Sequence, residues 1–218
     1  MHNGSVAPLH WDRLTWLEFV IKLESYRDRY SRQGREDPAY VRCLRIVRER
    51  PMRERAARAR DIVLFLNTWS CHLPREVSVQ AMSRWIREHL TELEALEGLR
   101  LTDADFLERL PALLSLYGSV LELKDQIRTM GDTAASKFLH VLLPDLFVMW
   151  DNNIKPFAQD YEDFLTEMHL LGRRLVAESG LADADVEDHL REHLGYGVRK
   201  TLAKYLDEYN WYVAVGEA

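Results

Sequence analysis

The sequence predicts an all-α protein that folds as a compact multi-helix bundle. Apolar residues recur at helical spacing along almost the whole chain, and there is no run of alternating apolar and polar residues between paired turn signals, as a sheet would require. The chain has 218 residues, of which 47% are hydrophobic and 29% charged, so it can bury a sizeable core. Glycine and proline are spread evenly, which favours one domain over 1–218, with two packed lobes, 1–110 and 111–218, as the alternative.

Each helix is predicted from an apolar stripe and from the capping signals at its ends. Asp37 before Pro38 is typical of an N-cap followed by proline at the first helical position, and Gly98 is typical of a helix end. Residues 102–105 resemble a capping box, with Asp in place of Glu. The helix before Pro144 must end early, because the residue preceding a proline is pushed out of the α region. In chain order, helices are expected over 13–31, from 38, from 51 to about 69, over 78–96, over 111–130, over 133–142, over 161–175, over 184–194 and over 197–209.

The charge is unevenly distributed along the chain. Residues 1–60 carry 14 Lys and Arg against 8 Asp and Glu, whereas the rest of the chain carries 15 against 27. The overall charge of −6 argues against a general nucleic-acid binder, but the arginine-rich segment 42–60 could bind phosphates locally. From this segment we take Arg45, Arg48 and Arg53 as candidate nucleic-acid contacts. The alternative is that these arginines form the solvated side of two short helices.

Membrane, secreted and metal-dependent classes are disfavoured. No apolar run approaches the roughly 18 residues of a membrane span, and the first residues lack the basic and apolar segments of an export signal, so we expect a cytoplasmic protein. His189 and His193 belong to an H-x-x-E-H string, but only 25 residues follow to supply a third zinc ligand, so coincidence is favoured and neither a metal nor a cofactor is expected. Cys71 is better explained as a buried structural cysteine than as a thiol-imidazole pair with His72.

Residues 130–154 are the most informative part of the chain. A glycine turn at Gly131 precedes a short helix, and the backbone around Gly131 and Thr133 can hold one phosphate of a nucleic-acid strand. The carboxylate of Asp132 is expected to oppose that phosphate. An apolar connector then leads to Asp151, which we expect at the edge of the core as the cap of the next helix, with a partly desolvated carboxylate.

This region resembles the helix-hairpin-helix DNA glycosylase superfamily, in which a hairpin glycine precedes an alanine-containing helix and a catalytic Asp follows an apolar stretch. Gly131 and Asp151 lie 20 positions apart, which fits that spacing. The strings T-A-A-S-K-F-L-H and P-D-L-F-V-M-W-D-N also resemble a group of uncharacterised bacterial proteins. The resemblance is strong over about 25 residues, within 130–154, and loose over 112–210.

The resemblance implies roles for individual residues. Asp151 would stabilise the sugar cation or activate water during base release, and DNA would be the partner. Bifunctional members carry a Schiff-base lysine where this chain has Thr133, so the resemblance implies a monofunctional glycosylase. Lys137 lies one turn further on and is the second catalytic candidate. The alternative for Lys137 is a stem packed on the core with its ammonium at the surface.

Four aromatic residues could line a pocket that stacks a flipped base: Trp69, Phe147, Trp150 and Tyr161. Aromatic residues at helical spacing can equally fill a core. Two functional hypotheses follow. One is a glycosylase-like nucleic-acid enzyme that acts through Asp151. The other is a non-enzymatic helical binding or scaffold protein that retains the glycosylase-like framework. The sequence predicts neither the substrate base nor the oligomeric state.

Overall fold

The computed structural model describes residues 10–31, 36–48 and 50–216. Throughout these ranges the chain forms helices and turns without a β-strand, which confirms the all-α prediction. Across the same residues, no helix combines the length and the apolar character that a membrane span needs. The α-helices are α1 (Trp16–Tyr26), α2 (Glu36–Arg48), α3 (Met52–Arg55), α4 (Ala59–Thr68), α5 (Arg75–Glu88), α6 (Leu90–Leu96), α7 (Phe106–Leu121), α8 (Asp132–Leu142), α9 (Tyr161–Ser179), α10 (Asp183–Leu194) and α11 (Leu202–Trp211).

Two early helices differ slightly from their predicted boundaries. Helix α2 already includes Glu36, so Pro38 is its third residue rather than its first. Proline still fits there, because amides of the first turn have no acceptor within the helix. His89 interrupts the helix predicted over 78–96, which therefore forms α5 and α6. Gly98 follows α6 with a φ of +86°, the left-handed conformation that its predicted role as a helix end requires.

Helix α7 differs most from its prediction, which began at Pro111 and ended at Met130. Phe106 and Leu110 are buried and extend the apolar stripe upstream, so the helix starts at Phe106. Pro111 lies inside the helix on its exposed side, and it removes only the one hydrogen bond that its amide would make to the preceding turn. The helix ends at Leu121, and a 3₁₀ turn and a loop continue the chain to α8.

The capping box predicted over 102–105 does not form. The Thr102 hydroxyl donates instead to Asp183 at the start of α10, at 3.0 Å. Asp103 accepts the backbone N–H of Arg100 at 2.7 Å. Thr102 therefore makes a tertiary contact and Asp103 a local one, and neither side chain caps the start of α7.

Helix α11 lies among the other helices rather than on the surface. Every residue over 201–210 is buried, and α1 and α9 both pack against this helix. The Trp11 indole N–H donates to Asn210 Oδ1 at 2.9 Å, so the start of the described chain packs on its last α-helix. Buried apolar side chains from both halves of the chain form one connected cluster. The charged side chains of α11 therefore need partners inside the protein, because an unpaired buried charge is strongly destabilising.

Arg55 is a structural residue within the arginine-rich segment 42–60. Its side chain is buried, and its guanidinium donates to Val47 O at 3.0 Å and to Leu142 O at 2.6 Å. It also pairs with Glu97. These acceptors lie in the last turns of α2 and α8 and just after α6, so one side chain joins the ends of three helices.

We expect replacement of Arg55 with alanine to lower the free energy of unfolding by about 2–3 kcal/mol, because it leaves buried carbonyl groups without donors. Urea denaturation followed by circular dichroism measures this change. Arg53, an exposed neighbour in α3, supplies the matched control, and its alanine variant should stay within about 0.5 kcal/mol of the wild type. Equal stability losses in the two variants would contradict the structural role of Arg55.

Candidate functional site

The predicted phosphate-binding turn lies between α7 and α8. Gly131 is the N-cap of α8, is exposed and has an extended backbone with φ −117°, and it makes no side-chain cap hydrogen bond to the first turn. A methyl group built on Gly131 would meet no atom within 4 Å. Neither backbone strain nor packing therefore requires glycine here, and the space in front of the first amides of α8 is open.

The carboxylate of Asp132, the first residue of α8, is paired with two side chains. It accepts the Tyr117 hydroxyl at 2.9 Å and the Lys155 ammonium at 2.7 Å. Burial acts to raise the pKa of Asp132, but these two donors outweigh it and the pKa lies below its ordinary value. The negative charge that was expected to oppose a phosphate is thus compensated by Lys155.

The connector that follows α8 folds back onto the same helix. The Trp150 backbone N–H donates to Ser136 Oγ at 3.0 Å, and the Thr133 hydroxyl donates to Asn152 Oδ1 at 3.4 Å. These two contacts hold both neighbours of Asp151 against one side of α8. The hairpin position Thr133 and the predicted catalytic acid therefore lie close together, although 18 positions separate them in the sequence.

Asp151 is half-buried and caps a short turn rather than the long helix that was expected. Its carbonyl accepts the N–H groups of Ile154 and Lys155, and its Oδ1 accepts the N–H of Asn153 at 2.7 Å. The second carboxylate oxygen makes no hydrogen bond within the described part of the chain. Helix α9 begins only at Tyr161. The turn therefore fixes the orientation of the Asp151 carboxylate and leaves one oxygen available.

The hairpin formed by α4 and α5 contacts the turn before α8. Residues 69–74 connect α4 to α5, and Ser70 and His72 adopt left-handed conformations with φ 60° and 51°. Such conformations cost about 1 kcal/mol or more each and occur often at functional sites. The Thr129 hydroxyl, in the turn before α8, donates to His72 O at 3.2 Å. The tips of the two hairpins therefore touch.

Lys137 lies beneath these two tips. Its side chain is 8% exposed, and its Nζ donates to Trp69 O at 3.2 Å and lies 5.6 Å from the centre of the Trp69 ring. Cys71 is also buried, with its Sγ 3.8 Å from the same carbonyl oxygen. Burial raises the pKa of the Cys71 thiol, while Lys137 lowers it and Asp151 raises it further. Lys137 and Asp151 are thus both near enough to Cys71 to act on it electrostatically.

Helix α11 adds charged residues that sequence reasoning missed. Lys204 Nζ lies 2.6 Å from Asp207 Oδ2, 3.5 Å from Glu208 Oε1 and 4.3 Å from the centre of the Trp69 ring. Lys200 Nζ lies 2.7 Å from Glu208 Oε1. All four charged side chains are buried. Spacings of three and four positions are the one signal that links these residues in the sequence, and on a helix they usually indicate a solvated face.

Burial also distinguishes Asp207 from an ordinary surface acid. It raises the pKa of Asp207, while Lys204 and Lys137 lower that pKa and Asp151 raises it. The named charges come from α8, from α11 and from the turn after the connector. Asp207 therefore interacts electrostatically with both of the catalytic candidates that were chosen from the sequence, Lys137 and Asp151.

The aromatic residues predicted to line a pocket lie in packed surroundings. Phe147, Trp150 and Tyr161 are buried, and the Tyr161 ring stacks on Tyr117 with centroids 4.1 Å apart. Trp69 is half-buried, and its ring centre lies 5.9 Å from that of Tyr40. The indole N–H groups of Trp69 and Trp150 are buried without a hydrogen-bond partner in the described part of the chain, which is rare for buried donors.

The remaining candidates lie outside this constellation. Arg45 in α2 and Arg53 in α3 are exposed, whereas the Arg48 side chain lies outside the described part of the structure. His189 and His193 lie on α10 with ring centres 6.1 Å apart, and His193 contacts Glu24. Among the described residues, no three His, Cys, Asp or Glu side chains are grouped as metal ligands.

Lys137 and the partly buried Trp69 therefore meet where two hairpin tips touch, and Lys204 of α11 adjoins them. Asp151 is near enough to act electrostatically on Cys71, as Lys137 does. The resemblance to the helix-hairpin-helix glycosylases is therefore a resemblance in sequence, carried by residues 130–154. Comparison of the chain with protein-family models, with curated proteins and with solved structures finds no match.

Proposed function

We propose that this protein is a glycosylase-like nucleic-acid-processing enzyme in which Asp151 assists cleavage of the bond between base and sugar. The observation that carries the proposal is the Asp151 carboxylate, which is half-buried, oriented by its own turn through one oxygen, and, like Lys137, close enough to Cys71 to act on it electrostatically. A carboxylate held in this way meets the requirement for stabilising positive charge on a sugar ring.

In the proposed reaction the C–N bond breaks and its electron pair leaves with the base. The free oxygen of Asp151 faces the developing cation at the sugar or takes a proton from the water that adds to it. The water oxygen forms the new bond to the sugar carbon, and the base acquires a proton. The products are a free base and an abasic sugar, and no covalent enzyme intermediate is formed.

Positive groups near the acid support a nucleic acid as the substrate. The Gly131 N–H donates to Thr129 O at 3.1 Å, so the first turn of α8 at Thr133 is the part of the predicted turn that can bind a phosphate. The pairing of Asp132 with Lys155 compensates the charge that would oppose it. Arg45 and Arg53 are exposed and lie outside this constellation, so in the proposal they contact phosphates farther along the strand. The indole N–H groups of Trp69 and Trp150 are buried without a hydrogen-bond partner in the described part of the chain, so a base can reach them only if the packing around them opens.

We expect the wild-type protein to release free base from DNA duplexes that carry oxidised, alkylated or deaminated bases. Mass spectrometry identifies the base, and alkali reveals the abasic site as a strand break. Sodium borohydride should trap no covalent adduct, because Thr133 occupies the position of the Schiff-base lysine. Absence of release from every duplex would overturn the proposed enzyme, and a trapped adduct at Lys137 would overturn its monofunctional mechanism.

The alternative function is that of a helical binding or scaffold protein, and one observation favours it. Phe147, Trp150 and Tyr161 are packed as core residues rather than arranged around an open space. A thermal-shift titration with DNA and RNA at low salt separates the two. A raised Tm that disappears with added salt supports nucleic-acid binding, whereas an unchanged Tm favours the scaffold.

A further inference from the structure

Two buried lysine side chains, Lys137 and Lys204, lie against the Trp69 ring, and Asp207 pairs with Lys204. Lys137 is 8% exposed, Lys204 2% and Asp207 7%, although none of them is in the arginine-rich segment or in the predicted hairpin turn. Replacing buried ion pairs with apolar side chains is often neutral or stabilising. Stability alone therefore does not explain why a helix retains such charges, and buried charges near a candidate acid are typical of functional sites.

Lys204 connects the buried carboxylates of α11 to the Trp69 ring. Lys204 lies between the carboxylates of Glu208, at 3.5 Å, and Asp207, at 2.6 Å. Lys204 and Lys137 both lie against the Trp69 ring, with Nζ atoms 4.3 Å and 5.6 Å from its centre. Asp207 therefore pairs with one of the two ammonium groups at this ring, and the other, that of Lys137, is near enough to act on it electrostatically.

We infer that Asp207, held by Lys204, is a positioning residue that keeps the Lys137 ammonium at the Trp69 carbonyl. Two carboxylates, Asp207 and Asp151, then attract one ammonium from different elements of the fold. The pull of Asp207 prevents Lys137 from closing onto Asp151, so one oxygen of Asp151 stays available to the sugar. The catalytic meaning of this arrangement rests on the proposed function, whereas the positioning itself needs no substrate.

Cys71 offers a reporter of the Lys137 position that is independent of activity. Its Sγ lies 3.8 Å from Trp69 O, and Lys137 Nζ lies 3.2 Å from the same atom. The nearby ammonium lowers the thiol pKa, and Asp151 raises it. Only the thiolate reacts with iodoacetamide, so the alkylation rate at a fixed pH reports where the ammonium lies.

The experiment measures alkylation of Cys71 in the full-length protein at pH 8, resolved by peptide mass spectrometry. We expect Lys137→Met to slow alkylation about 3- to 10-fold. Without the ammonium the pKa of the Cys71 thiol should rise by roughly half to one unit, which lowers the fraction of reactive thiolate by the same factor. We expect Asp207→Asn to slow it similarly. The double variant should react no more slowly than Lys137→Met alone, since both changes remove the same ammonium from the thiol.

The direction of the Asp207→Asn effect separates positioning from simple electrostatics. Loss of a negative charge without movement of Lys137 would leave alkylation unchanged or speed it, and either result overturns the inference. Glu187→Gln is the control, because Glu187 is a buried carboxylate that binds Leu202 N–H at 2.9 Å and should not alter Cys71.

Cys43 reports general opening of the fold in the same samples. Burial raises the pKa of Cys43 to about 12, so it should stay unreactive in every folded variant. If Cys43 reacts in Asp207→Asn, that variant has opened the fold, and the milder Lys204→Arg variant is used in its place. That variant keeps a positive charge beside Asp207 and should leave Cys71 alkylation within about 2-fold of the wild type. A larger change there would overturn the role assigned to the Lys204 charge.

Discussion

Replacement of Asp151 with asparagine is expected to lower the rate of base release by about 10²–10⁴-fold, the range that one positioned acid or base contributes. Asparagine can still accept the Asn153 N–H that Asp151 accepts at 2.7 Å, so the turn should persist. It cannot neutralise a sugar cation or take a proton from water. The variant therefore removes the proposed chemistry and keeps the local structure.

The measurement is a single-turnover rate on a duplex that the wild type cleaves. Asp160→Asn is the matched control, because Asp160 also caps a helix through one side-chain oxygen, accepting Asp163 N–H at 2.9 Å. This control should retain wild-type activity within about 3-fold, as expected for an exposed cap. Equal activity of Asp151→Asn and the wild type would refute the mechanism, and equal loss in both variants would reveal a purely structural effect.

Replacement of Glu208 with leucine is expected to lower the free energy of unfolding by about 3–5 kcal/mol, as is usual when one partner of a buried ion pair is removed. Glu208 is fully buried and lies 2.7 Å from the Lys200 ammonium and 3.5 Å from the Lys204 ammonium. Leucine leaves Lys200 without this carboxylate in a region that water does not reach. Lys204 keeps Asp207.

Chemical denaturation measures the loss, and two further variants identify its cause. Adding Lys200→Met to Glu208→Leu removes the ammonium that has lost the Glu208 carboxylate, so the double variant should regain at least half of the lost stability. Glu192→Leu changes an exposed acid in α10 and should shift stability by less than about 0.5 kcal/mol. Failure of the double variant to recover would show that the cost comes from packing rather than from charge.

The helical class was predictable because helix formation is recorded in local spacing. The short helix after Gly131 and the connector before Asp151 were predictable for the same reason, because both lie within one continuous stretch of sequence. The contacts of Asp151 with its turn follow from the ordinary capping behaviour of Asp. The role of Lys137 was left open because its partner, the Trp69 carbonyl, lies 68 positions away.

The charged residues of α11 were not predictable from the sequence. Lys204, Asp207 and Glu208 have the spacing of a solvated helix face, and nothing local distinguishes them from one. Their burial results from α1 and α9 packing around the helix, which is a property of the whole fold. The predicted start of α7 was wrong for a related reason, since burial of Phe106 outweighed the proline that usually marks a helix start.

The central position of α11 also determines when the protein can finish folding during its synthesis. Trp11 and Asn210 are 199 positions apart and bind each other directly. Helix α1 emerges from the ribosome long before α11, against which it packs, so its apolar face stays exposed until α11 has been made. Assembly of the interior then depends on α11, which is synthesised after α1 and α9, and contacts across such a sequence distance form slowly.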